Sequence, residues 1–171
     1  FYKQSKQPGL ISLCYKENAI HRDLKPGNIC LDEKGIAYVA DIGVAKVFDS
    51  QSMASKKQII STSAGTRPWM APEILNSLKS SDFVEGEFFI GSKLDIFSLG
   101  LITLYAVDRD QFLIHKKKLN VDEACLKSYL EDVAKRKVFN DNEFFKILQK
   151  MLSFNIEKRI SIKDLHTWIV I

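Results

Sequence analysis

The chain has 171 residues, of which 46% are hydrophobic and 27% charged, and its formal net charge is +4. This length fits one domain of globular composition, and so mild a charge does not indicate a nucleic-acid partner. Its three cysteines lie far apart, which argues against a disulfide framework or a zinc site. Because there is no signal-peptide pattern and no apolar run of membrane-spanning length, we expect a cytoplasmic or nuclear protein without a membrane span.

The first part of the chain predicts loops and short strands. Residues 10–14 resemble the end of a helix. Two short apolar segments, residues 29–31 and 36–40, flank a turn-like tetrad at 32–35, which predicts a small β-hairpin. Residues 44–68 are rich in Ser, Lys, Gln and Thr and show little periodicity, so we expect a long surface loop there.

The second part of the chain predicts helices. Residues 94–107 are apolar nearly all round, as expected of a helix buried in the middle of a domain. Two amphipathic stripes follow at helical spacing, the first with Ala124, Cys125, Tyr129, Leu130 and Val133, and the second with Phe144, Ile147, Leu148, Met151 and Leu152. Asn140 and Glu143 can cap the second helix, and residues 161–164 resemble a capping box that opens a last helix through Trp168.

Five short motifs follow one another along the chain. Residues 21–28 read H-R-D-L-K-P-G-N, residues 41–43 read D-I-G and residues 71–73 read A-P-E. Residues 95–100 read D-I-F-S-L-G, and Arg159 falls in a late E-K-R-I-S segment. Each motif alone is weak, because an isolated Asp, Lys or Asn in a loop is usually a turn former or a solvated residue. Together, in this order, they resemble the signature motifs of eukaryotic serine/threonine protein kinases.

The resemblance covers nearly all of residues 10–168 and implies both a fold and an activity. The fold would be α+β, the mostly α-helical C-terminal lobe of the protein-kinase fold with small β-hairpins around the catalytic loop. The activity would be ATP-dependent phosphoryl transfer to Ser or Thr hydroxyls of a protein substrate, carried out by the full-length parent of this chain. Lys25, two residues after Asp23, is the signature of the serine/threonine class.

Roles for the catalytic residues are implied by the same resemblance. Phosphoryl transfer depends on aligning the nucleophile and neutralising charge on the phosphate oxygens, so positioned carboxylates, metal ions and a lysine suffice. Asp23 would accept or orient the substrate hydroxyl proton, and Lys25 would stabilise the transferring phosphoryl group of ATP. Asn28 and Asp41 would hold Mg²⁺, a hard cation that prefers such oxygen ligands.

Other residues of the pattern have structural roles in the family. His21 would pack beneath the D-x-G segment rather than transfer protons. Asp95 lies among apolar residues and therefore needs buried donors, which the resemblance identifies as backbone amides of the catalytic loop. Glu73 and Arg159 would form a partly buried ion pair, and the alternative is that both are ordinary surface charges.

Two positions would border the nucleotide. Cys30 falls where the family usually has an aliphatic residue under the adenine ring, and a small thiol can fill that place. A buried strand residue is the alternative for Cys30. Ala40 would border the nucleotide or serve as a core alanine.

The segment before the A-P-E motif resembles a kinase activation segment. Thr66 would hydrogen-bond Asp23 and Lys25. Thr62, four residues earlier, has the spacing of an activating phosphorylation site, with Ser61 and Ser63 as its nearest competitors. We expect an upstream kinase to modify Thr62, and the phosphate to bind Arg22 and Lys46. The alternative is that these residues are ordinary polar residues of a flexible loop, without a regulatory role.

The chain also departs from the family pattern. It contains no G-x-G-x-x-G and no V-A-I-K-like strand before His21, so we expect residues 1–171 to be a partial kinase domain without its N-terminal lobe. The isolated chain would then be inactive, or act as a pseudokinase-like scaffold that binds protein partners. Ile42 replaces the usual Phe, and residues 76–91 form an insertion that is either a docking loop or, as we favour, neutral.

Overall fold

The structure of the chain is a computed structural model. It describes residues 19–41, 43, 46–47, 58–59, 65–78, 88–89, 91–136 and 142–170. The predicted helix end at residues 10–14, Ile42, Thr62 and the predicted cap at Asn140 lie outside these residues. So does most of the insertion at 76–91.

Six short strands form three separate antiparallel pairs. β1 (Ala19–Ile20) pairs with β4 (Lys46–Val47), β2 (Ile29–Leu31) with β3 (Ala37–Val39), and β5 (Gln58–Ile59) with β6 (Phe88–Phe89). The β2–β3 hairpin is the predicted one, and its turn is closed by the Asp32 carboxylate. Asp32 Oδ1 accepts from the amides of Lys34 at 2.9 Å and Ile36 at 2.8 Å, and Gly35 adopts φ +76°, which suits glycine.

The prediction of an irregular loop over residues 44–68 is wrong in three places. β4 and β5 lie within it, and so does the start of a 3-10 helix at Arg67–Trp69. Each strand has only two residues, and its partner is far away in sequence, so no local periodicity marks either one. β5 pairs with β6, which belongs to the insertion.

Six α-helices lie in the second part of the described chain: α1 (Pro72–Ser77), α2 (Gly91–Val107), α3 (Arg109–His115), α4 (Glu123–Lys135), α5 (Asn142–Met151) and α6 (Ile162–Val170). α2 is the predicted central helix and packs against α3, α5, α6 and β1. Phe97, Leu101 and Leu104 on it are fully buried. The helices and small antiparallel pairs confirm the predicted α+β class. No helix in the described ranges has the length and apolar character needed to cross a membrane.

The amphipathic helices are confirmed, with corrections to their buried faces. On α4 the buried residues are Leu126, Tyr129, Leu130 and Val133, whereas Ala124 is exposed and Cys125 is only partly buried. Ala124 lies in the first turn, before the helix contacts the core. On α5 the predicted stripe is buried except for Phe144, which is partly exposed.

Side chains cap the N-termini of α4 and α6. Asp122 caps α4 by accepting from the Cys125 amide at 3.0 Å. At α6 the Ser161 hydroxyl accepts from the Asp164 amide at 3.1 Å and donates to its carboxylate at 2.6 Å, the predicted capping box. Glu143, predicted to cap α5, forms an ion pair with Lys146 at 2.7 Å.

Close packing between α2 and the end of α5 depends on a glycine. A Cβ atom at Gly100 would lie 2.9 Å from Cγ and Cδ2 of Leu152 and 3.3 Å from Cβ of Met151. These contacts are too short for any side chain, so Gly100 allows the two helices to approach.

We predict that Gly100→Ala destabilises the protein. Overpacking a well-filled core usually costs about 1–3 kcal/mol, which should exceed the gain in helix propensity of about 1 kcal/mol. Urea unfolding followed by tryptophan fluorescence measures the change. Gly27→Ala is the matched control, because a Cβ there meets no atom within 4 Å. A loss at Gly100 no larger than that at Gly27 would contradict the prediction.

Candidate active site

The loop at residues 21–28 is attached to the central helix by one carboxylate. Asp95 on α2 accepts from the backbone amides of His21 at 2.6 Å and Arg22 at 2.9 Å. Arg22 adopts φ +69°, an unusual backbone conformation for a side chain of this size. Burial raises the pKa of Asp95 to about 6, and the two amide hydrogen bonds oppose that rise. At neutral pH the carboxylate is therefore mostly ionised and binds both amides.

The His21 ring has a hydrogen-bond partner on each nitrogen. Nδ1 accepts from the Asp23 amide at 3.3 Å, so Nε2 carries the proton and donates to the carbonyl oxygen of Ala40 at 3.2 Å. His21 is buried. It links the loop to the segment that leads into Asp41, which is a structural arrangement rather than one for proton transfer.

A compact polar cluster joins the loop to residue 66. Thr66 Oγ1 donates to Asp23 Oδ1 at 2.8 Å and accepts from Lys25 Nζ at 3.1 Å. Lys25 Nζ also lies 2.7 Å from Asp23 Oδ2. Burial opposes ionisation of Asp23, but the hydrogen bonds from Lys25 and Thr66 outweigh it and lower the pKa of Asp23. The cluster therefore presents a carboxylate and an ammonium group side by side.

Asn28 and Asp41 offer the oxygen atoms suited to a hard cation. The Asn28 side-chain nitrogen donates to the carbonyl oxygen of Asp23 at 2.9 Å, which leaves its amide oxygen as the atom that could bind a metal. The backbone of Asn28 accepts from the Ala40 amide at 2.8 Å, so Asp41 follows directly after a residue paired with Asn28. Asp41 is exposed, and its φ is +57°.

This donor set fits Mg²⁺ shared with phosphate oxygens rather than a metal site made of protein alone. Mg²⁺ is usually held by one or two carboxylate or carbonyl oxygens, with phosphates and water completing its octahedron. No cluster of three or more His, Cys, Asp or Glu side chains suited to a metal occurs among the residues that the structure covers.

The exposure of two residues at the β2–β3 hairpin corrects two of the sequence predictions. Cys30 is exposed, so its interpretation as a buried strand residue is wrong, and Ala40 is exposed, so it is not a core alanine. Leu31 and Ile36 are 69% and 52% exposed. The hairpin is short and packs little of its surface, which leaves these apolar side chains exposed.

Glu73 and Arg159 form a bidentate ion pair. Arg159 Nη1 and Nη2 lie 2.6 and 2.9 Å from the two carboxylate oxygens of Glu73, and the Arg159 side chain is fully buried. Two further hydrogen bonds join Arg159 to the carbonyl oxygens of Lys93 and Ser153, both at 2.9 Å. The alternative of ordinary surface charges is wrong, because a buried guanidinium that donates four hydrogen bonds fixes α1 to the helical core.

Sequence reasoning missed the contacts that hold residues 65–70. Ser98 on α2 donates to the carbonyl oxygen of Trp69 at 2.7 Å, and the buried Asn120 side chain donates to two more carbonyl oxygens of this segment. Gly65 adopts φ +125°, and a Cβ there would lie 2.7 Å from the carbonyl oxygen of Arg22. Ser98 lies within a motif and Gly65 is a glycine, but nothing in the sequence marks Asn120.

Known proteins match the chain over most of its length. The family model for the protein kinase domain matches residues 9–169. The chain is 30% identical over 161 residues to the serine/threonine-protein kinase TOUSLED of Arabidopsis thaliana, and 28% identical over 167 residues to the carbon catabolite-derepressing protein kinase of Secale cereale. It is 40% identical over 104 residues to the serine/threonine-protein kinase pakH of Dictyostelium discoideum.

The matches differ in how much of each protein they cover. The alignment with TOUSLED covers 88% of this chain and 22% of the relative, and that with the Secale cereale kinase covers 92% and 28%. The alignment with pakH covers 60% of this chain and 17% of the relative. The chain thus spans less than a third of the length of each relative.

We predict that Asp95 gives the protein a pH-dependent stability. Its pKa rises from 3.8 to about 6 on folding, so between these values the folded state binds the proton more tightly than the unfolded chain. The contribution of this group to the free energy of unfolding should therefore fall as pH rises from about 4 to about 6, by up to about 3 kcal/mol.

Asp95→Asn is the control, because an amide does not titrate. Over the same pH range, wild-type stability measured by urea unfolding should decrease relative to that of the Asn variant. Parallel stability profiles for the two proteins would contradict the prediction.

Proposed function

Because the chain belongs to the protein kinase domain family, we propose that its parent polypeptide transfers the γ-phosphoryl group of ATP to serine or threonine hydroxyls of proteins. The observation that carries the proposal is the Asp23–Lys25–Thr66 cluster, in which one carboxylate binds both an ammonium group and a hydroxyl. The serine/threonine kinases among the relatives support the same class. All four residues proposed for catalysis and metal binding, Asp23, Lys25, Asn28 and Asp41, are present.

In the proposed reaction, Asp23 orients the acceptor hydroxyl and receives its proton late in the transfer. A carboxylate with a lowered pKa is a weak base, so its main contribution is to align the nucleophile. Lys25 lies beside it and offers positive charge to the transferring phosphoryl oxygens. Thr66 binds both side chains and so keeps them at a fixed separation, which sets the distance between the acceptor hydroxyl and the transferring phosphoryl group.

ATP and Mg²⁺ are the proposed cofactors. Asn28 and Asp41 would hold the metal through oxygen atoms, and Cys30 on the exposed face of the hairpin would lie against the adenine ring. Bound Mg²⁺ supplies charge neutralisation on the phosphates. His21 and Ala40 keep the segment that carries Asp41 next to the loop.

We also propose that residues 1–171 form the C-terminal lobe part of a kinase domain. The sequence contains neither a G-x-G-x-x-G loop nor a V-A-I-K-like strand, the parts that cover ATP and grip its phosphates in the family. An inactive, scaffold-like behaviour is then proposed for this chain alone. The free thiols Cys30 and Cys125 suit a cytoplasmic or nuclear location, where thiols stay reduced.

Phosphorylation of Thr62 by an upstream kinase is proposed to activate the enzyme. Thr62 lies three residues before Gly65, whose backbone packs against the carbonyl oxygen of Arg22. The register of β1 and β4 places Lys46 opposite Ile20, two residues before Arg22. The backbone segments that carry Arg22 and Lys46, the basic residues proposed to bind the phosphate, thus lie close to each other, and that of Arg22 lies against Gly65. A phosphate there would form one to three charge-assisted hydrogen bonds.

Substitutions of the proposed catalytic residues test the assignment in the parent polypeptide. We expect Asp23→Asn to lower turnover by about 10²-fold or more, because the aligned carboxylate is lost. Asp41→Ala should be at least as damaging, because it removes a metal ligand. Steady-state phosphate incorporation measures both. Asp132→Asn on α4, an exposed position, is the control, and wild-type turnover in either test variant would refute the assignment.

The chain of 171 residues on its own should transfer no measurable phosphate, because ATP would be held from one side only. Isothermal titration should likewise find only weak binding of ATP-Mg. Robust labelling of a generic protein substrate by the purified chain would contradict the proposed division of the domain.

Activity of the parent polypeptide should depend on Thr62. Mass spectrometry of active protein is expected to find a phosphate there, and Thr62→Ala should lower turnover. Ser61→Ala and Ser63→Ala test the nearest competitors, and Ser52→Ala controls for a change elsewhere in the same segment. Full activity with an unmodified segment, or in the Thr62→Ala variant, would exclude this mode of activation.

A further inference from the structure

The outer surface of α3 and the turn after it combines exposed apolar and basic side chains. Leu113, Ile114 and Val121 are 39%, 68% and 45% exposed. Lys117 and Lys118, between them in sequence, are exposed too, and within the described ranges neither forms an ion pair. We call these five residues the α3 surface.

The α3 surface is rigidly joined to the segment after Thr66. On the inner side of α3, Phe112 is fully buried and stacks on Trp69 with ring centroids 5.2 Å apart and an angle of 14°. Tyr105 meets both rings edge-on at 5.7 Å. Stacked and edge-on aromatic pairs stabilise such a contact beyond the burial of their surface.

A buried asparagine provides a second link. The side-chain nitrogen of Asn120, which is 2% exposed, donates to the carbonyl oxygens of Arg67 at 2.8 Å and Met70 at 2.9 Å. Asn120 is two residues from Lys118 and adjacent to Val121. Because Thr66 contacts Asp23, the segment that Asn120 and Phe112 hold begins directly after a residue of the Asp23–Lys25–Thr66 cluster.

The turn that carries the lysines is preorganised. The Lys118 amide donates to the carbonyl oxygen of His115 at 2.8 Å, and the Lys118 carbonyl accepts from the amides of Val121 at 3.1 Å and Asp122 at 2.9 Å. Binding to such a turn loses little conformational entropy.

Nearby acidic side chains leave the lysines available for a partner. The Asp122 carboxylate accepts from the Cys125 amide, and Glu123 pairs with Lys127 at 2.8 Å. Asp110 is exposed, one helical turn before Ile114. The α3 surface therefore carries two positive charges, to which the partly exposed Lys116 adds a third, and the exposed carboxylates of Asp110 and Asp122 lie at its edges.

We propose that the α3 surface docks an acidic segment of the protein substrate, with an apolar side chain of that segment packing on Leu113, Ile114 and Val121. Charge complementarity selects an acidic partner, and the exposed apolar groups supply the contact area. This inference rests on the proposed kinase function and names the class of substrate.

Binding to the chain without ATP tests the proposal separately from catalysis. The probe is a fluorescent peptide of alternating Glu and Leu, measured by polarisation. We expect the double variant Lys117→Glu, Lys118→Glu and the single variant Ile114→Ser each to weaken binding, the double variant by about tenfold or more. A matching Lys158→Glu, Lys163→Glu variant, with the same charge change on two other exposed lysines, should bind as the wild type does.

Several outcomes would overturn the proposal. They are undiminished binding to the Lys117→Glu, Lys118→Glu variant, an equal loss in the Lys158→Glu, Lys163→Glu variant, and preference for a Lys-Leu peptide. Binding to vesicles of acidic phospholipid without binding to the Glu-Leu peptide would overturn it as well. Peptide binding by a parent polypeptide that transfers no phosphate would refute the proposed function and leave the docking surface supported.

Discussion

The geometry of the candidate site depends on the Asp95 carboxylate and the two consecutive amides that it binds. Those amides belong to His21 and Arg22, directly before Asp23, so their position determines where the Asp23 side chain lies. Burial of this carboxylate is unfavourable, as the rise of its pKa to about 6 indicates. Removing either partner would leave a buried polar group without a hydrogen bond, which costs about 1–3 kcal/mol. The interaction therefore fixes the loop on the central helix more firmly than packing alone could.

Besides the hydrogen bonds of Asp95, other buried polar contacts join segments that are far apart in sequence. Arg159 donates to Glu73 and also to the carbonyl oxygen of Lys93, while the Lys93 ammonium donates to the carbonyl oxygens of Ile156 at 2.7 Å and Glu157 at 3.1 Å. Burial lowers the pKa of Lys93. These contacts, with those of Ser98, hold the segments on either side of the Asp23–Lys25–Thr66 cluster against one helical core.

Helices were predicted well from the sequence because their signal is local. The apolar run at 94–107 and the stripe through Tyr129, Leu130 and Val133 reflect burial on the core, and both helices are present. Cys30, Ala40 and Ala124 were less predictable, because exposure depends on what packs above a residue rather than on its own polarity. The strands β4 and β5 are too short for a periodic pattern.

The candidate site residues could be proposed from their motifs, and the resemblance also predicted the contacts of Thr66 and Asp95, but the contacts that residues outside the motifs make could not be predicted. Asn120 acts through carbonyl oxygens 50 and 53 residues away in sequence, and no spacing rule predicts such a contact. The resemblance did predict the ion pair of Glu73 with Arg159, but its bidentate geometry and the complete burial of the Arg159 side chain follow only from the fold.

The most direct test of this account is a crystal structure of the parent polypeptide with Mg²⁺ and a non-hydrolysable ATP analogue. We expect Mg²⁺ to be bound by the side-chain oxygens of Asn28 and Asp41, the adenine ring to lie against Cys30, and Lys25 to contact the terminal phosphate. A nucleotide bound elsewhere, or a metal ion that contacts neither Asn28 nor Asp41, would contradict the account.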